Sequence, residues 1–145
     1  MAPRTNLSVA LAAYRDENKP KIRFVYNEAV QDVIEAAQTP QRAISAGAET
    51  FEVGKIPVAS TDLINSLHLG ATKIGGDFTA VIGLIEPGTI QTFEWQQPYA
   101  ARIEFGFSGT DELGREYEQA GRFFVGANAV RFPEFVEKHK REVGL

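Results

Sequence analysis

Cysteine is absent from this sequence, and the other residues that commonly build metal and nucleophile sites are scarce. The 145 residues include no cysteine and only two histidines, His68 and His139. Without cysteine the chain cannot form disulfides, thiolate nucleophiles or cysteine-ligated zinc sites. Neither histidine has a second one at metal-binding spacing, and a metal site needs several converging ligands. We therefore expect no metal and no cofactor, and for His139 only a favourable interaction with a helix C-terminus.

Long runs of positive charge and long apolar runs are missing as well. Lysine and arginine number 15 against 19 aspartates and glutamates, so the formal net charge is −4. Gripping nucleic-acid phosphates needs clustered basic residues, and the densest stretch here is only "KHKR". No apolar run reaches the ~18 residues that a membrane span requires. The apolar stretch 7–14 is short for a signal peptide and runs directly into charge, which favours an intracellular site of synthesis.

What is present is the composition of an ordinary globular domain. A hydrophobic fraction of 43% in a chain of 145 residues predicts one domain over 1–145 with a real core. Within it we expect an N-terminal arm at 1–18 and two long loops, at 41–56 and 107–119. Irregular segments of this length are usually functional or are ordered by a partner.

Helical spacing is strongest in the segment 18–38, where apolar side chains recur with the period of an amphipathic helix. Asn18 is the predicted N-cap, and Pro20 fits the first turn. A second helical region is predicted from Gly121 onwards. Pro133 either kinks that helix or begins a new one.

Between these helices the pattern predicts short strands. We expect a short helix at 62–67, strands at 68–74, 77–86 and 89–95, and an edge strand at "REYEQ". The predicted fold class is therefore α+β, with a small, mostly antiparallel sheet packed by a long helix in the N-terminal half and by a C-terminal helix.

The stretch "PYAARIEFGF" is predicted to be a short helix closed by Gly106. Helical spacing places three residues on its inner face: Tyr99, Ala100 and Ile103. We expect Phe105 to anchor the end of this helix in the core. Glu104 borders the inner face, and its simplest interpretation is an outward-facing carboxylate or one that pairs locally with Arg102 or Arg122. A carboxylate bordering an apolar face suits a hydrogen bond to backbone amides or to an interface arginine better than catalysis.

Paired carboxylates in the predicted polar loop are the remaining candidates for chemistry: Asp111 with Glu112, and Glu116 with Glu118. General acid–base catalysis needs a desolvated carboxyl group with a raised pKa, and a polar loop leaves these groups solvated. The sequence has no phosphate-cradling Gly-x-x-x-x-Gly-Lys-Ser/Thr loop and no Gly-x-Ser-x-Gly elbow. We therefore expect a protein that is not an enzyme.

Three segments, taken in order, resemble a known family. "IPVASTDLINSL", then "YAARIEFG", then a C-terminal region opening on "GRFFVGANAV", are similar to the tail-component or tail-completion proteins of long-tailed bacteriophages and prophages. The matching residues are Pro57, Val58, Ser60, Leu63 and Ser66 in the first segment, Tyr99, Ala100, Ile103, Glu104, Phe105 and Gly106 in the second, and Phe123 or Phe124 in the third.

The resemblance covers residues 20–143 and has departures. Thr61 stands where the family usually has glycine, the segment 41–55 is longer than usual, and Arg122-Phe123 replaces the Pro-Phe that precedes the last helix. The resemblance implies a structural protein of the virion, at the neck or tail end, made in the host bacterial cytoplasm. It implies a homo-oligomeric ring, commonly a hexamer, that contacts connector and tail-tube proteins.

DNA would pass through such a ring as non-specific cargo, and a net negative charge would avoid trapping its phosphates. Two other hypotheses stay open. One is a small cytoplasmic binding or regulatory domain without enzymatic activity, whose long loops bind a ligand. The other is a hydrolase that uses Glu104 or the carboxylates of the segment 111–118.

Overall fold

The computed structural model describes residues 6–110 and 112–145, with Tyr117 described by its backbone alone. In chain order the elements are α1 (Leu7–Ala37), β1 (Pro40–Arg42), a 3₁₀ turn (Ile44–Ala46), β2 (Ile56–Val58), α2 (Asp62–Asn65), β3 (Leu67–Leu69), β4 (Thr72–Lys73), α3 (Phe78–Ile82), β5 (Phe93–Trp95), α4 (Ala100–Phe105), β6 (Gly106–Thr110), β7 (Glu116–Ala120), α5 (Gly126–Ala129) and α6 (Phe132–Val143). The α+β fold class is confirmed. Within the described ranges, however, the strands form three small sheets rather than one.

The first helix begins earlier than predicted. Its N-cap is Asn6, whose side-chain oxygen accepts a hydrogen bond from the Ser8 N–H at 3.0 Å. Pro20 lies inside the helix, and the predicted cap Asn18 instead donates its side-chain amide to the Tyr14 carbonyl at 2.7 Å. The preceding residues are mostly good helix formers, so they continue the helix past the proline. The predicted start of the helix at Asn18 is therefore wrong, and residues 1–5 lie outside the described range.

The C-terminal half of α1 forms the centre of the fold. It packs most extensively against α6 and also contacts α3 and α5. One core cluster joins Ile34 of α1 to residues of the middle of the chain, namely Leu67, Ile74, Ile82 and Ile85. Pro133 lies in the first turn of α6 and begins a new helix, which is the second of the two predicted alternatives. The segment from Gly121 to α5 is not helical.

The sheets are small, and two of them are hairpin-like. β1 pairs in parallel with β2, β3 pairs antiparallel with both β4 and β5, and β6 pairs antiparallel with β7. The predicted edge strand at "REYEQ" is confirmed as β7. The strand predicted at 89–95 is present in its last three residues as β5.

Several predicted boundaries are wrong. The segment 77–86 contains the helix α3 rather than a buried strand, because a helical turn places Ile82 and Ile85 together in the core. The segment 68–74 is not one strand: a turn at Gly70 (φ 58°) divides it between β3 and β4. The predicted loop 107–119 is mostly the β6–β7 hairpin, and the predicted loop 41–56 contains a 3₁₀ turn between two paired strands.

Candidate functional site

The three segments that resemble the phage family meet in one core cluster. Its buried members are Ile56, Leu63 and Phe124, and the side chains packed against them include Ala100 and Ile103 of α4. Trp95 also joins this cluster, with its ring edge-to-face on Phe124 at a centroid distance of 5.3 Å. Residues far apart in sequence thus form one packed cluster, which we call the motif unit. Phe124, rather than Phe123, is its buried member from the third segment.

Glu104 is a structural carboxylate within this unit. Its side chain is only 7% exposed. The two carboxylate oxygens accept hydrogen bonds from the backbone N–H groups of Val125 at 3.0 Å and Gly126 at 2.7 Å. These N–H groups stand at the start of α5 and have no partner inside that helix, so a carboxylate is favoured there. The expected bond to backbone amides is confirmed, and neither Arg102 nor Arg122 pairs with Glu104 among the described residues.

A close backbone crossing lies directly beside Glu104. The Arg122 N–H donates to the Ile103 carbonyl at 2.8 Å, and the Phe123 N–H donates to the Glu104 carbonyl at 3.1 Å. A Cβ atom added to Gly121 would lie 2.5 Å from the Glu104 carbonyl oxygen. Gly106 has a φ of 86° and would place a Cβ 2.6 Å from the Gln119 carbonyl oxygen. Only glycine fits at these two positions.

The other motif residues are divided between core and surface. Pro57 and Ser66 are buried, and the Ser66 hydroxyl donates to the Leu63 carbonyl at 2.6 Å. Val58 is half-buried, whereas Ser60, Tyr99 and Phe123 are exposed. Ala100 and Ile103 face the core as predicted, but the prediction for Tyr99 is wrong, because it precedes the first turn of α4 and stays exposed. The prediction that Phe105 anchors the helix end is wrong, because its side chain is 72% exposed. Phe105 is two residues after Ile103, so helical geometry directs it to the opposite side of α4. Gly106 ends the helix as predicted, but with an extended ψ of 172° rather than a left-handed helical conformation.

A groove of about 930 Å³ opens beside the motif unit. Its walls come from the start of the 3₁₀ turn, from Phe51, from the segment 57–63, from α4 and from the β6–β7 hairpin. Two arginines line it, Arg122 and Arg102. Sequence reasoning did not find this groove, since its walls are scattered along the chain and carry no spacing motif.

Arg122 is the most unusual side chain of the groove. It is 3% exposed, and its guanidinium lies 3.7 Å above the centroid of the Phe51 ring. One terminal nitrogen, Nη1, donates to the Ala120 carbonyl at 2.6 Å, but the buried Nε has no hydrogen-bond partner. Burial lowers the pKa of this guanidinium from its ordinary value. An arginine nevertheless stays charged in a protein.

A second groove, of about 1020 Å³, runs along α1 beside Gly83, Glu86 and Pro87. Asn27 lies in it, buried, with its amide nitrogen donating to the Gly83 carbonyl at 3.2 Å and its side-chain oxygen without a partner. At the rim Arg23 pairs with Glu86 at 3.1 Å. Along α1 this groove reaches Tyr14. Residues 6–17, which include the first turns of that helix, are almost all exposed.

His139 connects α6 to α1. Its ring is buried, its Nε2 lies 2.6 Å from the Asp32 carboxylate, and its Nδ1 lies 3.1 Å from Glu142. Burial opposes protonation of the ring, but the hydrogen bonds and negative charges of Asp32 and Glu142 outweigh it and raise the pKa of His139 above 6.5. The prediction of a simple helix-end histidine is therefore wrong. The two carboxylates contact opposite ring nitrogens, so they do not converge on a shared ligand position.

The remaining candidates for chemistry are solvated. Glu112, Glu116 and Glu118 are exposed, and Asp111 lies outside the described residues. In the part of the chain that is described, no group of three or more acidic or histidine side chains could hold a metal ion. Nor is any helix of that part long and apolar enough to cross a membrane.

Comparison of the chain with family models, with curated proteins and with solved structures finds no match. The class that can be stated is therefore the one that the fold and the motif unit define: an α+β domain in which the motif carboxylate is a structural cap.

Proposed function

We propose that this chain is a structural protein of a long-tailed phage virion, located where head and tail join, and that it assembles as a homo-oligomeric ring through which DNA passes. The observation that carries the proposal is the convergence of the three family-like segments on one packed unit. A resemblance in order and spacing gains weight when its residues have one common structural task. Here Glu104 caps α5, and Leu63, Ile103 and Phe124 pack together.

The first turns of α1 support self-association. Leu7, Leu11 and Tyr14 fall within one narrow stripe of the helix, and all three are exposed. We call these three residues the α1 stripe. A contiguous apolar stripe on a soluble protein commonly marks an interaction surface. A second copy of the chain is the natural partner in a ring, because a heterologous contact that rotates by a fixed angle closes on itself.

Size measurement tests this proposal directly. The purified chain is studied by native mass spectrometry and negative-stain microscopy over a wide range of protein concentrations, alone and with lysates of cells producing phage heads and tails. The expected result is a closed ring of six copies, or a monomer that becomes part of such a ring when heads and tails are present. A chain that stays monomeric under all these conditions and is missing from purified virions contradicts the proposal.

Gene context gives a second, independent test. Genes for a portal, a capsid and a tail tube on either side of this one are expected, since neck proteins are encoded among their assembly partners. Neighbours with no virion role would favour the other hypothesis, a small cytoplasmic binding or regulatory domain. The observation that favours a binding domain is the groove that holds Arg122.

A further inference from the structure

The groove beside the motif unit contains a buried positive charge without a matching negative one. Arg122 is 3% exposed, and among residues 6–110 and 112–145 no carboxylate pairs with it. Taking a charged group out of water is costly unless a partner compensates it. The Ala120 carbonyl and the Phe51 ring provide only partial compensation. An anion in the groove would complete the site.

The geometry of Arg122 favours a planar anion. Phe51 covers one face of the guanidinium, which leaves the N–H groups at the edge of the plane as donors. The Nε is buried and has no partner, although the side chain lines the groove. A guanidinium binds a carboxylate through two parallel hydrogen bonds, and Nε is one of the usual donors of such a pair.

Arg102 adds a second positive charge to the same groove. Its guanidinium lies 4.4 Å from the centroid of the Phe107 ring, and no described carboxylate pairs with it. Glu118 also lines the groove but forms no ion pair with either arginine. The two arginines therefore outnumber the single acidic side chain, and the groove carries a net positive charge in a chain whose net charge is −4.

The rest of the wall is mainly apolar. It includes Ile44, Pro57, Leu63, Ile103 and Phe107. Phosphate groups carry more charge and hold water more strongly than a carboxylate, so they gain little from such a wall. A carboxylate attached to an apolar body would satisfy both the arginines and the wall.

We propose that this groove binds a carboxylate carried by an apolar group, with Arg122 as its central ligand and Arg102 as a second. The carboxylate comes either from a small carboxylic acid or from an acidic side chain flanked by apolar residues in a protein segment. This site is independent of ring formation, because the α1 stripe contributes no residue to it.

The test is a titration followed by ¹⁵N NMR, with the Arg122 Nε–H signal as the probe. N-acetyl-L-leucine is expected to shift this signal in a saturable way. N-acetyl-L-leucinamide, which has the same apolar body without the charge, is expected to bind at least about tenfold more weakly, as a lost charge-assisted hydrogen bond implies. Inorganic phosphate is expected to bind more weakly than N-acetyl-L-leucine.

A third ligand identifies the source of the carboxylate. The blocked peptide acetyl-Leu-Glu-Leu-amide carries its carboxylate only on the glutamate side chain. If it binds more tightly than N-acetyl-L-leucine, the site takes a protein segment; if it binds more weakly, the site takes a small carboxylic acid. Both results support the proposal.

Matched variants locate the site. Arg122→Lys keeps the charge but loses the planar fork, and is expected to weaken binding about tenfold. Because this variant has no Nε–H, its binding is followed through the backbone N–H of Phe107, which lines the groove. Arg102→Gln should weaken it about two- to fivefold, and Glu118→Gln should strengthen it in the same range, as for exposed ion pairs. The control is Arg131→Gln, which removes an arginine that also lies over a phenylalanine, Phe135 at 4.6 Å, but outside the groove. Its affinity should be unchanged.

Three results overturn the proposal: no saturable shift with any carboxylate, equal binding of the leucinamide, or tighter binding of phosphate. If Arg122→Lys fails to fold, Arg102→Gln and Glu118→Gln still decide, because both residues are exposed and their expected effects have opposite signs. If the chain stays monomeric but binds N-acetyl-L-leucine, the result contradicts the proposed ring and supports the proposed carboxylate site.

Discussion

The carboxylate of Glu104 lies 2.7 Å from the backbone nitrogen of Gly126, across 22 residues of sequence. Its other oxygen binds the N–H of Val125 at 3.0 Å. This pair of bonds connects the end of α4 to the start of α5, over a hairpin that lies between them in the chain. The family-like segment "YAARIEFG" therefore contains its carboxylate for a structural reason.

The first prediction concerns this cap. Glu104→Gln removes the negative charge and offers an NH₂ group to one of the two N–H donors, so that one partly buried donor loses its partner. We expect the free energy of unfolding to fall by about 1–3 kcal/mol, measured by urea denaturation. Glu35→Gln is the control, because Glu35 is an exposed carboxylate of α1 and its loss should change stability by less than about 0.5 kcal/mol. Equal effects of the two variants would show that the cap contributes nothing.

The second prediction compares two phenylalanines of the motif. Phe124 is 1% exposed and Phe105 is 72% exposed. Phe124→Ala should lower the free energy of unfolding by about 3–5 kcal/mol because it leaves a cavity in the core. Phe105→Ala should change it by less than about 1 kcal/mol. A large loss at Phe105 would restore the anchor role that its sequence position suggested.

The sequence predicted the ends of helices correctly where the local pattern agrees with the tertiary structure. The apolar period that ends at Ala37 and the end of α4 at Gly106 were predicted and are present. The start of a new helix at Pro133 was one of two predicted alternatives, and it is the one present. Each of these depends on neighbours within one or two turns. Glu104 was expected to bind either backbone amides or an arginine, because its place beside an apolar face indicated a bonded carboxylate, and backbone amides are its partners.

Other features depend on contacts between distant segments, which no local pattern records. The β-rich composition of 77–86 suggested a strand, but packing of Ile82 and Ile85 into the core favours a helix there. The groove needs Phe51 to meet Arg122, and their separation in sequence hides that contact. Asn6, rather than Asn18, caps α1, because the helix runs through Pro20 instead of beginning there.

The third prediction concerns pH. Because the folded state raises the pKa of His139 above its ordinary 6.5, the native chain binds more protons there than the unfolded chain does. This contribution to stability is fully present below the unfolded pKa and is lost as the pH rises through the folded pKa. We expect the free energy of unfolding to decrease across that window.

The Asp32→Asn variant tests this origin of the slope. It removes the carboxylate that lies 2.6 Å from the ring, so the decrease with pH should become shallower. Asp16→Asn is the matched control, since Asp16 pairs with Arg15 on an exposed part of α1. Identical slopes in wild type and Asp32→Asn would contradict the assignment.

The fourth prediction concerns the segment between β1 and β2. The Gln41 side chain donates to the carbonyls of Glu52 and Lys55 at 2.8 and 2.7 Å and accepts from the Glu52 N–H at 2.8 Å. Gln41→Ala should therefore speed amide exchange of residues 49–55 with little effect on α6. If the chain forms the proposed ring, exchange of this segment should also slow on assembly. Unchanged exchange in the variant would show that Gln41 does not hold the segment.

The last prediction tests the α1 stripe with two equally exposed apolar residues that point to different sides of the helix. Leu11 and Val9 are equally exposed, at 59% each, but they point to opposite sides of the helix because they are two residues apart. Leu11→Glu places a charge within the stripe and should abolish ring formation in native mass spectrometry and reduce the yield of joined heads and tails. Val9→Glu adds the same charge outside the stripe and should leave both unchanged. Neither residue packs in the core, so both variants should unfold at nearly the wild-type urea concentration. Rings formed by Leu11→Glu at wild-type concentrations would place the subunit contact elsewhere, and loss of rings in both variants would assign the effect to charge rather than to the stripe.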